Sequence, residues 1–389
     1  MNILEKIYSS ITYCDGGMGT LLQARGLRPG EMPERWGVAH ADDIVEIHAR
    51  YLAAGCNVIT TNTFGANLAK YSLDELKQII PAGIRNVRRA MRDFSGDRYV
   101  AFDIGPTGKL LRPLGDLPFE DAVRIFAESV KIAAACEPDL ILIETMNDSY
   151  EAKAAVLAAK ENCDLPVFVT TVYDERGKLM TGADPAAMVA MLEGLGVDAL
   201  GMNCSLGPDQ MKDIVPKLAA EASVPVIVNP NAGLPRTVGG KTVFSVGASH
   251  FAETMTDIVK AGATIIGGCC GTTPDYMRRM VEETSRLPFV PPRKKDHTVV
   301  SSYTHAVRVG ESPVLIGERI NPTGKKRFKQ ALREGDIDYI LGEGVAQQDA
   351  GAHILDVNVG LPEIDEPAMM ESVVRELQAV TDLPLQLDT

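Results

Sequence analysis

Three cysteines in this sequence have the setting of metal ligands. Cys204 follows the apolar run 199–202, and Cys269 and Cys270 lie between glycines just after the apolar run 263–266. Free cysteines are most often small buried apolar residues, but the flanking glycines and the repeated setting after two apolar runs favour a shared site. Three thiolates can hold one zinc ion and leave its fourth position open, as catalytic zinc sites do. The pattern therefore predicts a zinc site whose open position takes a substrate thiol, which the metal would deprotonate and make nucleophilic.

A glycine-rich turn, Asp15-Gly16-Gly17, closes the first predicted strand. Its glycines expose backbone N–H groups that could receive a small anion such as an amino-acid carboxylate. A simple tight turn explains the same residues about equally well. The turn lacks the third glycine of a dinucleotide-binding fingerprint, so a nucleotide site is not expected here.

Glu144 is an acidic residue at the end of the apolar run 141–143. A buried carboxylate needs a cation or a hydrogen-bond donor, and a substrate ammonium group would serve. The alternative is that Glu144 caps the next helix. Asn62 and Asn203 also follow predicted strands and are suited to orient the same substrate, although either could equally satisfy loop backbone.

Eight short apolar, β-branched runs alternate with amphipathic helical stretches up to about residue 285, and they predict the elements that position these residues. Such alternation predicts a parallel sheet, and eight units fill a TIM (β/α)8 barrel, whose active site lies at the C-terminal ends of the strands. The cysteines and polar residues above therefore converge on one rim. The predicted strands are Tyr13–Asp15, Val58–Thr61, Tyr99–Ile104, Leu140–Ile143, Val167–Thr171, Ala199–Met202, Val226–Val228 and Ala263–Ile266.

The remainder of the chain predicts a second, incomplete α/β barrel. We assign residues 1–288 to the first barrel, 289–313 to a proline-rich and charged linker, and 314–389 to the start of the second barrel. Only three strands are predicted in that last segment, too few to close a barrel.

Composition narrows the class of protein. The 389 residues carry a formal charge of −13 with a pI near 5.0, which argues against nucleic acid or an anionic membrane as partner. Mean hydropathy near zero and 45% hydrophobic residues indicate a globular protein with ample core. Seven unevenly spaced cysteines suggest reduced thiols rather than a disulfide framework. With no signal-peptide or membrane-spanning run, a cytoplasmic location is expected.

Together these motifs resemble the homocysteine S-methyltransferase family over residues 1 to about 288. They comprise Asp15-Gly16-Gly17, the run 61–65, Glu144-Thr145, Asn203-Cys204 and the run 267–271. The resemblance implies that Cys204, Cys269 and Cys270 ligate zinc. It also implies a zinc-bound homocysteine thiolate that accepts a methyl group to give methionine, with Asp15, Glu144 and the first-strand loop holding the amino-acid end.

The second segment resembles the start of a pterin-binding domain that holds methyltetrahydrofolate, in runs 317–324 and 354–358. This domain order is similar to that of the cobalamin-dependent methionine synthase family, which implies methylcobalamin as methyl donor and methyltetrahydrofolate upstream of it. The sequence contains no Asp-x-His-x-x-Gly cobalamin motif, so a cobalamin-binding module is expected outside this chain. The folate site is expected to be incomplete, and the residues that the resemblance places in it are Glu318, Asn321, Asp356, Asn358 and Asp388.

Two other functions fit the same sequence. The barrel could use betaine or S-methylmethionine as a direct donor without cobalamin, although the truncated pterin segment argues against this. The chain could also be a non-catalytic zinc- or thiol-binding subunit that docks in a methyl-transfer assembly. Four protein ligands on the metal, with no open position, would support the second alternative.

Overall fold

The computed structural model describes residues 1–238 and 241–388, and it begins with one parallel sheet of eight strands. A short antiparallel hairpin, formed by β8 (Pro235–Val238) and β9 (Lys241–Phe244), interrupts the alternation of strands and helices before the last strand of this sheet. The first ten strands are β1 Thr12–Tyr13, β2 Val58–Thr60, β3 Tyr99–Ile104, β4 Leu140–Met146, β5 Val167–Thr171, β6 Ala199–Asn203, β7 Val226–Asn229, β8 Pro235–Val238, β9 Lys241–Phe244 and β10 Ala263–Ile266.

The eight parallel strands form a closed barrel. Strands β2 to β7 pair in sequence order, and β10 lies between β7 and β1. The sheet closes between β1 and β2, where Cys14 forms a parallel bridge with Val58 and the Asp15 N–H donates to the Val58 carbonyl at 3.1 Å. The predicted TIM-barrel fold is therefore confirmed, and each predicted strand is present, although several ends differ by one to three residues.

Helices connect the strands and follow ordinary end signals. Helix α5 (Leu73–Met91), for example, begins at a capping box in which Ser72 and Glu75 each accept from the other's backbone N–H. Among the described residues, no helix combines the length and apolar character needed to cross a membrane. The helices of this part of the chain are α1 Ile3–Ile7, α2 Met18–Ala24, α3 Pro33–Ala39, α4 Ala41–Ala53, α5 Leu73–Met91, α6 Phe119–Ala134, α7 Ser149–Asn162, α8 Pro185–Gly194, α9 Pro208–Glu221, α10 Ala248–Lys260 and α11 Pro274–Thr284.

The barrel interior is filled by alternate residues of the strands. Tyr99 and Ala101 of β3, and Leu140 and Leu142 of β4, belong to one buried cluster together with Ile3 and Ile7 of α1. Tyr99 begins its strand and its hydroxyl donates to the Met1 carbonyl at 3.0 Å, so α1 closes the N-terminal end of the barrel. Because side chains alternate along a strand, the next inward positions are Asp103 and Glu144. The interior thus changes from apolar to acidic toward the C-terminal end.

The chain divides into two compact units, residues 1–181 with 192–294, and residues 182–191 with 295–389. The second unit contains an antiparallel hairpin within the segment predicted as a linker, and a three-stranded parallel sheet in the order β13-β14-β15. The domain boundaries at 288 and 314 remain predictions. The elements of the second unit after residue 295 are β11 Thr298–Ser301, β12 Ala306–Val309, β13 Ile316–Ile320, α12 Lys326–Glu334, α13 Ile337–Asp349, β14 Ile354–Val357, α14 Glu366–Val380 and β15 Leu385–Leu387.

Candidate metal and substrate site

The three predicted cysteines meet at the C-terminal end of the barrel. Cys204 follows β6, and Cys269 and Cys270 lie in the turn after β10. Their Sγ atoms all lie within 4.8 Å of one another, and the Sγ atoms of Cys204 and Cys270 are 4.0 Å apart. A tetrahedral zinc–thiolate site with bonds of about 2.3 Å has sulfur atoms about 3.8 Å apart. The cluster therefore has the donor type and the spacing that zinc requires, with three protein ligands.

Backbone hydrogen bonds fix the two turns that carry these sulfurs. The N–H of Cys269 donates to the Pro230 carbonyl at 2.8 Å, and that of Cys270 to Asn231 Oδ1 at 3.0 Å. Cys204 has φ +57°, and Gly271 has φ +80°. Left-handed backbone of this kind is uncommon outside glycine and is found where surrounding structure enforces it. The loop after β7 thus holds the cysteine pair in place before any metal binds.

The three thiols cannot all ionise without a cation. The thiols of Cys269 and Cys270 donate hydrogen bonds to Cys204, which lowers the pKa of Cys204. The same contacts, together with burial, raise the pKa of Cys269 and Cys270. One thiolate is thus stabilised while the other two thiols stay protonated, and a bound cation would favour ionisation of all three.

Asn203 connects the cysteine turn to the acidic part of the rim. Its Oδ1 accepts from the Thr145 N–H and from Thr170 Oγ1, both at 2.9 Å. Its Nδ2 lies 2.8 Å from Thr145 Oγ1, 3.4 Å from Glu144 Oε2 and 3.9 Å from Cys269 Sγ. The side chain is fully buried. A substrate role for Asn203 remains a prediction, and the structure shows an amide whose contacts already fix its neighbours.

Glu144 is partly buried at the end of β4. Burial, followed by the charges of Asp15 and Cys204, raises the pKa of its carboxyl group to about 8. The alternative role as a helix cap is not what the structure shows, because Asp148 is the N-cap of α7 and accepts from the Tyr150 N–H at 2.9 Å. Glu144 lies two positions after Leu142 on the interior side of β4, where a cation would favour its ionised form.

Asp15 is buried at the end of β1, and its carboxylate accepts from the N–H and the hydroxyl of Thr60 at 3.0 and 3.1 Å. Burial raises the pKa of this carboxyl group to about 7. The adjoining glycines pack on the cysteine turn, since the Gly17 N–H donates to Thr272 Oγ1 at 3.1 Å and a Cβ at Gly16 would lie 2.6 Å from the same oxygen. That N–H is engaged within the protein, so an anion at this turn would need other donors.

Asn62 lies at the rim but holds another element. Its Nδ2 donates to the Pro33 carbonyl at 2.7 Å, which fixes the start of α3 over the end of β2. Glu34 of the same helix accepts from the Gly65 N–H and the Tyr71 hydroxyl, both at 2.6 Å. Of the two roles considered for Asn62, the structure shows the backbone-satisfying one, and contact with substrate stays a prediction.

Sequence reasoning overlooked a third buried acid, Asp103, at the end of β3. Its side chain is 5% exposed, and its Oδ1 atom is buried with no hydrogen-bond partner among the described residues. Burial, followed by the charges of Glu144, Asp15 and Glu34, raises the pKa of this carboxyl group well above its usual range. The signal was available, since an acid ends an otherwise apolar strand here as Glu144 does.

The second unit gathers most of the residues that were predicted to line a pterin site. Asn358 Nδ2 donates to Asp388 Oδ2 at 3.1 Å, after β14 and β15 respectively. Burial, followed by the charges of Asp388 and Glu318, raises the pKa of Asp356. Asn321 Oδ1 accepts from the Thr323 N–H at 2.8 Å and so turns its own loop. Their ligand roles remain predictions.

Comparison with known proteins decides the family. Residues 12–284 match the family model described as homocysteine S-methyltransferase. The chain belongs to the homocysteine S-methyltransferase family. This confirms the resemblance carried by the glycine, acid and cysteine motifs, and it places the cysteine cluster inside the family domain.

This family member is similar along its whole length to two methionine synthases. It is 31% identical to the methionine synthase of Mycobacterium leprae over 414 residues, and 30% identical to that of Mycobacterium tuberculosis over 410 residues. Each alignment covers 100% of this chain and 34% of the relative. The chain therefore spans about a third of the length of the curated relatives it matches.

Solved structures support the fold of this family member. The homocysteine methyltransferase MmuM from Escherichia coli, in its oxidized form, is 24% identical and superposes with a TM-score of 0.62, covering 72% of this chain and 98% of that chain. Its metallated form is 23% identical and gives a TM-score of 0.60, covering 71% and 97%. At this level of identity the likeness establishes the shared barrel fold.

Proposed function

We propose that the barrel binds L-homocysteine and catalyses transfer of a methyl group to its thiol, giving methionine. The observation that carries this proposal is the set of three Sγ atoms within 4.8 Å of one another at the rim that also carries buried acids. The family supports the same substrate. Cys204, Cys269 and Cys270 would hold zinc, which when bound supplies the Lewis acidity that keeps a thiol deprotonated at neutral pH.

The residues around the cluster would orient the amino-acid end of the substrate. Glu144 and Asp15 provide negative charge for an ammonium group. Among the described residues no fourth cysteine joins the cluster, which leaves a position for the substrate sulfur. Asn203 fixes Glu144 relative to Cys269, so the distance between the charged end and the thiol is set by one buried side chain. Positioning of this kind lowers the barrier by holding the nucleophile in line with the donor.

Methylcobalamin is the donor that we propose, carried by a domain or protein outside these residues. The similarity to methionine synthases along the whole chain supports this choice. Residues 314–389 would then be the first part of a methyltetrahydrofolate site, in which Glu318, Asn321, Asp356, Asn358 and Asp388 contact the pterin. The free thiols suit a reducing, cytoplasmic location, which we retain as a proposal.

A comparison of methyl donors tests the proposal. Zinc-loaded protein is incubated with L-homocysteine and either methylcobalamin, S-methylmethionine or betaine, and methionine is measured by mass spectrometry. We expect methionine with methylcobalamin, and none from a matched Cys270→Ser variant. Formation of methionine from S-methylmethionine or betaine in the absence of methylcobalamin would favour a cobalamin-independent enzyme. No methionine with any donor, from protein that retains zinc and binds homocysteine, would favour a non-catalytic subunit.

A further inference from the structure

Asp103 occupies an inward position at the open end of the barrel. It follows Tyr99 and Ala101 along β3, and both of these residues belong to the interior cluster. Since side chains alternate along a strand, Asp103 projects to the same interior side, one step nearer the cysteine rim. Asp103 and Glu144 therefore project into one chamber below the rim, and Asp15 lies buried after β1 on the same rim.

These three carboxyl groups differ in what already contacts them. Asp15 accepts two hydrogen bonds from Thr60, and Glu144 has the Asn203 amide at 3.4 Å. The carboxyl group of Asp103 accepts no hydrogen bond from any described residue, and its Oδ1 atom is fully buried. A buried carboxyl group without donors is costly, so a residue of this kind indicates that a ligand supplies them.

The backbone of Asp103 is nevertheless held firmly. Its N–H donates to Thr61 Oγ1 at 3.1 Å, and its carbonyl accepts from Thr63 Oγ1 at 2.8 Å. Gly105, two residues after Asp103, packs against the Phe64 ring, and its N–H donates to the Phe64 carbonyl at 2.7 Å. The strand end is thus fixed by the loop after β2, while the carboxyl group alone remains unpaired. Such preorganisation is typical of a recognition group.

The chemistry of the chamber limits the ligand group that can meet Asp103. An ammonium group carries one positive charge and three N–H donors in a compact volume, so it can bridge two carboxylates that face each other. Strands β3 and β4 are paired with Asp103 opposite Leu142, so Asp103 and Glu144 lie on the same side of neighbouring strands, two positions apart. An amino-acid thiol offers an ammonium group beside the carbon chain that leads to its sulfur.

We propose that Asp103 is a substrate-recognition residue that, together with Glu144, binds the ammonium group of the substrate and thereby selects amino-acid thiols over thiols without an amino group. The proposal rests on homocysteine binding to the barrel, as proposed above. It assigns to Asp103 a role in affinity and selection rather than in the transfer step itself.

Calorimetric titration with two thiols tests this role. L-Homocysteine and 4-mercaptobutanoate differ only in the amino group, and both are titrated into the zinc-loaded full chain and its Asp103→Asn variant. We expect the substitution to weaken homocysteine binding about 10- to 100-fold, as loss of a charged hydrogen bond does, and to leave 4-mercaptobutanoate binding unchanged. Asp148→Asn is the matched control, because this buried acid caps α7 and asparagine preserves the cap.

Each other outcome has a distinct meaning. An equal loss of affinity for both thiols would show that Asp103 only supports the local fold, and no loss for either would show that it does not contact the ligand. Both results overturn the proposal for Asp103. If the unsubstituted protein itself binds no homocysteine, the proposed function fails first. Thermal melting of Asp103→Asn identifies a folding defect, and Asp103→Glu, which keeps the charge, should then recover part of the selection for the amino group.

Discussion

The cysteine cluster is the residue-scale feature on which the other roles depend. Its three sulfurs come from two strand ends that are distant in sequence, Cys204 after β6 and the adjacent pair after β10. A fourth cysteine close enough to complete the coordination is not found among the described residues. Three cysteine ligands would leave one position of a zinc ion open, and an open position is typical of a metal that acts on a bound ligand.

Substitution of one cluster cysteine should remove zinc and spare the fold. We expect Cys270→Ser to weaken zinc binding by more than about 100-fold, because even loss of an outer-sphere partner costs about 10- to 100-fold. Zinc content after dialysis against a chelator measures the effect, with circular dichroism as the check on folding. Cys163→Ser, at the end of α7 and outside the cluster, is the control and should retain zinc. Full zinc content in Cys270→Ser would contradict the ligand assignment.

The raised pKa of Asp15 predicts the pH dependence of stability. The unfolded chain loses this proton near pH 4, whereas the folded protein keeps it to about pH 7. The proton therefore favours the folded state below pH 4, and this contribution is lost as the pH rises from about 4 to 7. In urea unfolding of the metal-free protein, the free energy of unfolding of Asp15→Asn should rise by about 1–3 kcal/mol relative to that of the unsubstituted protein as the pH increases over that range. A difference in free energy of unfolding that stays constant from pH 4 to 7 would contradict this prediction. The control is Asp116→Asn, at an exposed position.

Not every site residue could be interpreted correctly from the sequence. The cysteines, Asp15 and Glu144 stood out because a polar residue directly after an apolar strand must lie at the rim. The engagement of Asn62 by the Pro33 carbonyl could not be foreseen, because it depends on how α3 folds back over β2. Asp103 carried the same signal as Glu144, but only the structure shows that its carboxyl group lacks a partner.

At the scale of elements, close approach of β6 and β7 explains a glycine inside a strand. A Cβ at Gly201 would lie 1.9 Å from the Ile227 carbonyl oxygen, which belongs to the paired backbone of β7. Backbone cannot move away as a flexible side chain can, so this position tolerates no larger residue.

A pair of glycine substitutions tests this packing. Gly201→Ala should lower the free energy of unfolding by at least about 2–3 kcal/mol, because it forces the two strands apart. Gly19→Ala, in α2 with nothing within 4 Å of the added Cβ, should instead raise it by about 0.4–1 kcal/mol. Chemical denaturation of both variants gives the comparison. Similar changes in the free energy of unfolding for the two variants would show that β6 and β7 are not packed as described.

The strands of the barrel were predictable and the two hairpins were not. Buried parallel strands are apolar runs bounded by turn residues, which is why all eight were located. The hairpins β8–β9 and β11–β12 have only four residues per strand and are partly exposed, so their pattern resembles that of a loop. The prolines and charges near residues 287–296 predicted a linker over residues 289–313. The hairpin β11–β12 lies inside that range.

At the scale of the whole molecule, the site of the barrel and the rest of the chain can be separated experimentally. All cysteines and acids of the proposed homocysteine site lie before residue 288, and MmuM forms the same fold with almost its entire chain. A chain of residues 1–288 should therefore retain zinc. It should melt at a lower temperature, because it lacks Thr304, whose carbonyl accepts from the Asp184 N–H at 3.1 Å within the second unit. Loss of zinc binding from a folded 1–288 protein would show that the predicted boundary is wrong.

The central claim is that three cysteines hold zinc and leave a position for the thiol of homocysteine. X-ray absorption at the zinc edge, recorded before and after addition of L-homocysteine, tests it most directly. We expect three sulfur neighbours and one lighter atom at first, and four sulfur neighbours once homocysteine is bound. Four protein ligands at the outset, or a spectrum that does not change when homocysteine is added, would contradict it.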